Sequence, residues 1–260
     1  MDKTQFLAAF FESLHPVLLK PVVIGVSGGA DSLCLVHLLL NAGLALVPAH
    51  YDHQLRTVSG VQAKQVEALM RAWGLEPEVG SGNVKDYARA NKMGLEEAAR
   101  ICRYEFLVGV AEKYNAQAIL TAHHQDDQVE TILMHFLRGS GINGLTGMRS
   151  VETLTQFSKN IPLWRPLLET SKQEILDYCA EHQIIPIEDE SNLDIRFYRN
   201  QLRHELIPSI EKIQPSFRRI LSRNAKVIEL DRQMLEKMTE LAWQKTIVQE
   251  TPGVALLFDR

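Results

Sequence analysis

Short apolar runs alternate along the first half of the chain with longer stretches in which apolar residues recur every three or four positions. The runs are typical of buried strands, and the longer stretches are typical of amphipathic helices. Hydrophobic strands that alternate with helices indicate a parallel sheet covered on both faces, with ligands bound at the carboxyl ends of its strands. The pattern predicts strands at 21–27, 44–50 and 118–123, and helices at 31–41, 59–73, 83–91, 95–114 and 126–137.

The pattern changes after residue 137. Four glycines within 138–148 predict a flexible loop. Residues 171–182 predict a helix, because Ser171 offers an oxygen to cap its start and Glu174 follows three positions later, as in a capping box. The remaining predictions are an extended segment at 161–168, a polar loop at 187–198 and mostly helix from Ile207 onward.

Composition excludes several classes of protein. The 260 residues are 45% hydrophobic, which is typical of a packed core and excludes disorder as the main state. The chain has no run of about 18 apolar residues that would predict a membrane span, and Asp2 and Glu12 are out of place in a secretory signal. Three scattered cysteines, Cys34, Cys102 and Cys179, argue against a disulfide framework. We therefore expect a cytoplasmic protein without a membrane partner.

Charge is distributed unevenly along the chain. The formal net charge is -4, which by itself counts mildly against a nucleic-acid partner. Residues 196–226, however, hold eight lysines and arginines against two glutamates. A solvated helix face and a surface that contacts phosphates both explain such a segment, and charge alone leaves the choice open.

The first chemical motif is SGGADS at 27–32, between a predicted strand and a predicted helix. Two glycines let backbone amides approach a phosphate, the helix N-terminus adds partial positive charge, and two hydroxyls add donors. The motif lacks the GK[ST] ending of an ordinary P-loop and the third glycine of a dinucleotide fingerprint, so neither of those sites fits. A plain glycine turn with a Ser/Asp cap is the structural alternative, but the whole hexapeptide in this position favours a phosphate site.

The second motif is AHHQDDQVET at 122–131, which ends the third predicted strand and enters a helix. Asp127 and Glu130 are three residues apart, so both carboxylates share one helical face. This arrangement suits Mg²⁺ that bridges nucleotide phosphates. His123 and Asp127 are four residues apart, a spacing that a zinc or hydrolase site also uses, and a polar helix start is the structural alternative. We favour a nucleotide–Mg²⁺ site.

Five motifs together resemble those of the tRNA(Ile)-lysidine synthetase family, within the PP-loop ATP pyrophosphatase superfamily. They are SGGADS, AHHQDDQVET, RGSGINGLTGM at 138–148, RPLL at 165–168 and EDESNLDIRFYRNQLRHELIP at 188–208. The resemblance covers about residues 20–210 in the family's order and spacing. It implies a Rossmann-like α/β fold of the adenine nucleotide alpha hydrolase type, with a parallel sheet, helices on both faces and a helical C-terminal segment.

The resemblance also implies a reaction in two steps. Enzymes of the family use ATP to adenylate the 2-oxygen of the wobble cytidine of tRNA(Ile) with a CAU anticodon. The ε-amine of free L-lysine then attacks C2, and AMP leaves to give lysidine. The implied cofactors are therefore ATP and Mg²⁺, the implied partners are tRNA(Ile) and lysine, and a homodimer is compatible with a family that is often dimeric.

Roles for single residues follow from the same resemblance. The implied catalytic residues are Asp31, Asp127 and Glu130, of which Asp31 and Asp127 would bind Mg²⁺. The implied ATP-binding residues are Ser27, Gly28, Gly29, Ala30, Asp31, Ser32, His50 and His123. The implied contacts to lysine or tRNA are Glu97, Arg100, Arg103, Arg199 and Arg203. For the first three of these, an intrahelical set of salt bridges is the structural alternative.

The competing functions differ in what they leave unexplained. A PP-loop tRNA thiolation enzyme also adenylates a pyrimidine base, but such enzymes typically need paired cysteines or an iron–sulfur cluster, and no CxxC occurs here. An amidotransferase or NAD synthetase relative leaves the RNQLR segment unexplained, and a regulatory nucleotide-binding module would not need both carboxylates. The resemblance predicts a catalytic domain at 1–210. It also predicts the start of a tRNA-binding domain at 211–260, as in a truncated chain or a minimal member.

Overall fold

The computed structural model describes residues 20–55, 59–187, 198–251 and 255–258, with side chains described as far as residue 244. These residues form two compact units. Unit 1 comprises the described residues up to Asp127 and those of 149–187, and unit 2 comprises Gln128–Met148 and those from Tyr198 onward. The division predicted at residue 210 rests on sequence motifs and stays a prediction.

Unit 1 is built on a six-stranded sheet. Its strands are β1 (Val22–Gly25), β2 (Leu46–Asp52), β3 (Glu78–Ser81), β4 (Ala118–Leu120), β5 (Val151–Thr153) and β6 (Pro162–Trp164). Their order across the sheet is β3-β2-β1-β4-β6-β5. Neighbouring strands are parallel except β5, which pairs antiparallel with β6 at the edge. The predicted parallel sheet is confirmed.

Helices connect these strands. Within the described part of the chain they are α1 (Ala30–Asn41), α2 (Ser59–Ala72), α3 (Val84–Asn91), α4 (Leu95–Lys113), α5 (Gln125–Leu137), α6 (Ile142–Leu145), α7 (Lys172–Glu181), α8 (Tyr198–Gln201), α9 (Ile207–Ile213) and α10 (Phe217–Thr246). A π-helical turn, Leu202–Leu206, joins α8 to α9. Helix α5 begins in unit 1 and ends in unit 2.

The core of unit 1 lies on both faces of the sheet. Val22 and Ile24 of β1 belong to a cluster with side chains from α1, α2 and α7, whereas Val23 between them belongs to a cluster built largely from α4. Alternate residues of a strand point to opposite faces, so a strand apolar at every position is the signature of a sheet buried on both sides. The predicted covering of both faces is confirmed.

The structure corrects several local predictions. Residues 142–145 form α6 inside the segment predicted as a flexible loop, and β3 and β5 were not predicted. Val61 on α2 and Phe136 on α5 are 58% and 63% exposed, although both belong to the periodic apolar residues of the predicted helices. The capping box is confirmed, since Ser171 Oγ accepts from the backbone N–H of Glu174 and the Glu174 carboxylate accepts from that of Ser171.

Unit 2 has its own small core and a long helix. Val129 and Leu133 of α5 pack with Leu202 of the π-helical turn and Ile207 of α9. A two-stranded antiparallel sheet, β7 (Ile247–Thr251) and β8 (Ala255–Phe258), follows α10 where mostly helix was predicted. The periodic apolar residues of α10 are exposed rather than packed: Val227, Leu230, Met234, Met238 and Leu241. Among the described residues, no helix is long and apolar enough to cross a membrane.

Candidate active site

The order of the strands sets the position of the candidate site. From β1 the sheet continues through β2 to β3 on one side and through β4 to β6 on the other, so the order reverses between β1 and β4. Such a reversal opens a crevice outside the carboxyl ends of the strands, where ligands of α/β proteins bind. The segments 26–32 and 121–127, which follow β1 and β4, carry the two chemical motifs.

Ser32 organises the loop between β1 and α1. Its Oγ accepts hydrogen bonds from the backbone N–H groups of Ser27 and Gly28, each at 3.2 Å, and donates one to the carbonyl of Gly29 at 3.0 Å. Gly29 precedes the first residue of α1, Ala30, in an extended conformation and has no side chain with which to cap the helix. The amides of the first turn of α1 and their partial positive charge therefore face this loop, as in an anion site.

Gly28 is required at its position for two reasons. Its φ is +88°, in the region that favours glycine. A Cβ at this position would lie 2.9 Å from Cγ2 of Val66 and 3.0 Å from Cδ1 of Ile187. At Gly28 the loop thus packs against α2 and against the segment that follows α7.

Two carboxylates meet a histidine and a lysine at this loop. Oδ1 of Asp31 accepts a hydrogen bond from Nζ of Lys172 at 2.5 Å, and its Oδ2 lies 3.7 Å from Nε2 of His124. Oδ2 of Asp127 lies 3.4 Å from the same Nε2 and accepts the backbone N–H of His124 at 3.0 Å. Nδ1 of His124 accepts the backbone N–H of Asp126, so the proton of the neutral ring lies on Nε2, facing both carboxylates.

The two adjacent histidines after β4 have different surroundings. His123, the predicted ATP ligand, has its Nδ1 2.9 Å from Oγ1 of Thr121, while His124 is buried between the two aspartates. His50 donates from Nδ1 to the carbonyl of Val26 at 2.8 Å, so it is fastened to the residue directly before the loop. Lys172 was missed because it lies 141 residues from Asp31 and belongs to no motif.

Glu130 is held by two arginines within unit 2. The side chain of Glu130 is fully buried, and its two oxygens accept hydrogen bonds from Arg203 at 2.5 and 3.1 Å. Arg199 donates to Glu130 at 2.8 Å and to Oγ1 of Thr131 at 3.0 Å. Arg199 and Arg203 were predicted to contact lysine or tRNA, and in the structure both donate to one carboxylate of the protein. Because both of its oxygens accept hydrogen bonds from these arginines, Glu130 holds the two arginines in place, and its oxygens are not open to a metal ion.

Helix α4 carries the remaining predicted residues, all in unit 1. Glu97 and Arg100 are exposed, whereas Arg103 is half-buried and its Nε lacks a hydrogen-bond partner among the described residues. The guanidinium groups of Arg100 and Arg103 lie 5.5 and 5.2 Å from the ring centre of Tyr104, which is itself buried. Both guanidinium groups thus lie within the distance of a cation–π interaction with this ring.

His53, at the end of β2, is the most strongly perturbed histidine of the described residues. Burial above all, with the charges of Arg103 and His50, lowers its pKa to about 4, while the charge of Asp52 opposes them. Its Nδ1 is buried and lacks a hydrogen-bond partner among the described residues. His53 is therefore neutral at physiological pH.

Two other motifs have a structural part. The buried side chain of Gln128 donates to the carbonyl of Met148 at 2.9 Å and accepts its N–H at 2.7 Å, which closes the glycine segment 138–148 onto α5. Arg165 of RPLL is buried and bonds the carbonyl of Arg149 at 2.7 Å and the carboxylate of Glu152 at 2.5 Å, which fixes the edge strand β5. The first ten residues of the motif at 188–208 lie outside the described residues.

Two of the three cysteines lie side by side, although they are far apart in sequence. Cys34 on α1 and Cys179 on α7 belong to one buried cluster, and Sγ of Cys179 donates to the carbonyl of Ala30 at 3.6 Å. Burial raises the pKa of both thiols. Neither is therefore a thiolate at neutral pH.

Comparison with known proteins gives a consistent picture. A family model described as the PP-loop domain matches residues 3–210. The tRNA(Ile)-lysidine synthase of Geobacter sulfurreducens is 36% identical over 240 residues, covering 90% of this chain and 50% of that protein. The protein of the same name from Bacillus cereus is 37% identical over 242 residues, covering 90% and 49%. This chain spans about half the length of these curated relatives.

A solved structure shares the fold. The U34-tRNA thiolase NcsA from Methanococcus maripaludis, determined with its [4Fe-4S] cluster, superposes with a TM-score of 0.69 over 86% of this chain and 79% of that chain. The two sequences are 16% identical, so the likeness concerns the fold alone.

We predict that Gly28→Ala destabilises the protein more than Gly43→Ala does. Both glycines have positive φ, but no heavy atom lies within 4 Å of a Cβ built at Gly43. The strain of the backbone is common to both changes, and the clash with Val66 and Ile187 adds about 1–3 kcal/mol for Gly28. Urea unfolding measures the difference. Equal losses of unfolding free energy would mean that the loop shifts away from its neighbours at no cost.

We also predict that His53→Gln reduces the loss of folding stability that occurs as the pH is lowered. Between pH 6.5 and about 4, His53 is protonated in the unfolded chain but stays neutral in the folded chain. The free energy of unfolding therefore falls as the pH is lowered through this window. Melting temperatures between pH 7 and 5 should therefore drop less in the variant. His204→Gln, at an exposed histidine, is the control and should keep the wild-type profile.

Proposed function

This chain belongs to the ATP-binding PP-loop family, and we propose that it catalyses the ATP-dependent ligation of free lysine to C2 of the wobble cytidine of tRNA(Ile). The proposal rests above all on one juxtaposition: the loop shaped by Ser32 lies with Asp31 and Asp127 at the point where the strand order reverses. The names of the curated relatives support the same reaction.

ATP would bind with its phosphates on the loop at 27–32. The amides at the start of α1 and the hydroxyls of Ser27 and Ser32 provide donors for phosphate oxygens. His50, fastened to the residue before the loop, and His123, at the end of β4, are assigned to the nucleoside side of the site. Gly28 and Gly29 allow the close approach of the phosphates.

The donor set at this loop fits Mg²⁺. Among the described residues, no group of three or more His, Cys, Asp or Glu side chains forms a self-sufficient metal site. Mg²⁺ needs no such cage, since it takes one or two carboxylates and completes its shell with water and substrate phosphates. Asp31 and Asp127 would hold it, and the ion would neutralise charge that develops on the phosphates. His124, within 3.7 Å of both carboxylates, sets their separation.

The reaction then proceeds in two displacements. The 2-oxygen of the cytidine attacks the α-phosphorus of ATP, the bond to the β-phosphate breaks, and pyrophosphate leaves from the loop. The ε-amine of lysine next attacks C2, the bond between C2 and oxygen breaks, and AMP departs with that oxygen. The amides of the loop stabilise the charge of the departing pyrophosphate because they are already oriented before it forms.

The arginines would bind the tRNA and, with Glu97, the lysine. Arg199 and Arg203 stay about one-third exposed while they clamp Glu130, so we assign them to the RNA backbone and Glu130 to holding them in place. Arg100 and Arg103 are assigned to phosphate contacts, and exposed Glu97 to the lysine ammonium. We further infer a catalytic domain at 1–210, a tRNA-binding segment at 211–260, a cytoplasmic location and a homodimer.

The cysteines disfavour the alternative of tRNA thiolation. Sulfur transfer needs a reactive thiolate or a cluster held by thiolates. Cys34 and Cys179 are 2% and 3% exposed, burial raises the pKa of both, and Cys102 is buried on α4. The pair supports the packing of α7 on α1 rather than chemistry.

The proposal predicts that labelled lysine is incorporated into tRNA(Ile) bearing a CAU anticodon, in a manner that depends on ATP. A matched tRNA with uridine at the wobble position should take up none. Asp31→Asn and Asp127→Asn should each slow incorporation by about a hundredfold or more, whereas Asp177→Asn, at an exposed aspartate of α7, should not. Nucleoside mass spectrometry reads the product. A thiolated pyrimidine, or no modification by the wild-type protein, would refute lysidine formation.

A second prediction concerns the arginine clamp. Glu130→Gln alone should weaken tRNA binding but keep its salt dependence, because the two positive charges remain. The triple change Glu130→Gln, Arg199→Gln and Arg203→Gln leaves no buried charge unpaired. It should make the negative slope of log affinity against log salt concentration shallower by roughly 1.4–1.8. Filter binding over a range of salt concentrations measures both. Arg71→Gln, which removes an exposed arginine paired with Glu67, is the control and should keep the wild-type slope. An unchanged slope in the triple variant would place the RNA elsewhere.

A further inference from the structure

Lys172 occupies a fixed position at the phosphate loop, although no sequence motif contains it. It is the first residue of α7, directly after the N-cap residue Ser171. The backbone N–H of Gln125, at the start of α5, donates to the carbonyl of Thr170 at 2.9 Å. The start of α7 is therefore bonded both within itself and to the segment that carries the second motif.

The segment that follows α7 also returns to the loop. The N–H of Ile187 donates to the carbonyl of Gly28 at 2.9 Å, and the side chain of Ile187 packs where a Cβ of Gly28 would be. Between these ends, Cys179 contacts the carbonyl of Ala30. Helix α7 and the residues that flank it are thus bonded to the start of α5, to α1 and to the loop, so packing determines where the backbone of Lys172 lies.

The ion pair between Lys172 and Asp31 places a positive charge at the first turn of α1. Nζ lies 2.5 Å from Oδ1 of Asp31, and the two side chains are 37% and 29% exposed. Ion pairs that water reaches are weak, whereas a polyphosphate offers an ammonium several charged oxygens at once. An incoming pyrophosphate group therefore competes with Asp31 for Lys172.

We propose that Lys172 exchanges partners when the nucleotide binds, leaving Asp31 and contacting the β- and γ-phosphates of ATP. The inference rests on the proposed function, because it takes the loop at 27–32 to be the site of ATP. In the nucleotide-free protein Lys172 neutralises Asp31, and in the complex it neutralises the leaving group. Asp31 is freed at the same moment to bind the divalent cation that accompanies ATP. Lys172 is on this assignment a residue that contacts the substrate.

Ligand binding by isothermal titration calorimetry tests the exchange. Lys172→Met should weaken the binding of a non-hydrolysable ATP analogue and of inorganic pyrophosphate about tenfold or more, and leave the affinity for AMP within twofold. Lys172→Arg, which keeps the charge, should restore most of the affinity. Lys113→Met removes a lysine with the same kind of pairing, 2.7 Å from Glu78, and should change none of the three affinities. Melting temperatures establish that each variant is folded.

A second measurement separates exchange from a merely structural role. Without divalent cation, Asp31→Asn should tighten the binding of pyrophosphate, because Lys172 no longer has a competing partner, and the double variant with Lys172→Met should lose that gain. Equal weakening for AMP and pyrophosphate, or no tightening in Asp31→Asn, overturns the proposal. If the wild-type protein binds pyrophosphate and the ATP analogue while Lys172→Met binds them equally well, only the exchange fails. If the wild-type protein binds neither, the proposed ATP site fails as well.

Discussion

The reversal of strand order between β1 and β4 is the constraint on which the site depends. Because strands continue in opposite directions from this pair, the connections lead away to either side and leave a crevice between the loops that follow β1 and β4. The backbone amides of 27–32 and the carboxylates that follow β4 are therefore assembled at an opening that the fold itself creates. Both faces of the sheet are covered by helices, which gives these loops a rigid base from which to project.

Two acidic residues, one in each unit, are paired with cationic side chains of the same unit. Asp31 has Lys172, and Glu130 has Arg199 and Arg203. The two cases differ in burial, and burial decides their character. Glu130 is fully enclosed, so its pairing is close to obligatory, because a buried carboxylate without a partner is very costly. Asp31 remains accessible to water, so its partner is replaceable. The pairing of Glu130 with its arginines is thus suited to a structural role, and the pairing of Asp31 with Lys172 is suited to exchange with a ligand.

Much of unit 1 could be predicted from sequence because its central strands are buried on both faces. Such strands appear as unbroken apolar runs, as in 21–27, whereas the edge strands β3 (Glu78–Ser81) and β5 (Val151–Thr153) are short and half-exposed, so no run marks them. The loop at 27–32 and the aspartates could be found because they are local. The role of His124 could not, since only the backbone path decides which of two adjacent histidines turns inward. Lys172 depends on packing of α7 against α1, which local patterns do not encode.

The pair of thiols between α1 and α7 has a practical consequence. Thiol reagents attack the thiolate, and burial suppresses that form at Cys34 and Cys179 alike. Alkylation of either residue therefore requires that α7 separate from α1, and its rate under native conditions measures the free energy of this local opening. Cys102, buried on α4, reports in the same experiment on the helix at the opposite face of the sheet. The three native cysteines thus serve as chemical probes of the helices on both faces of the sheet.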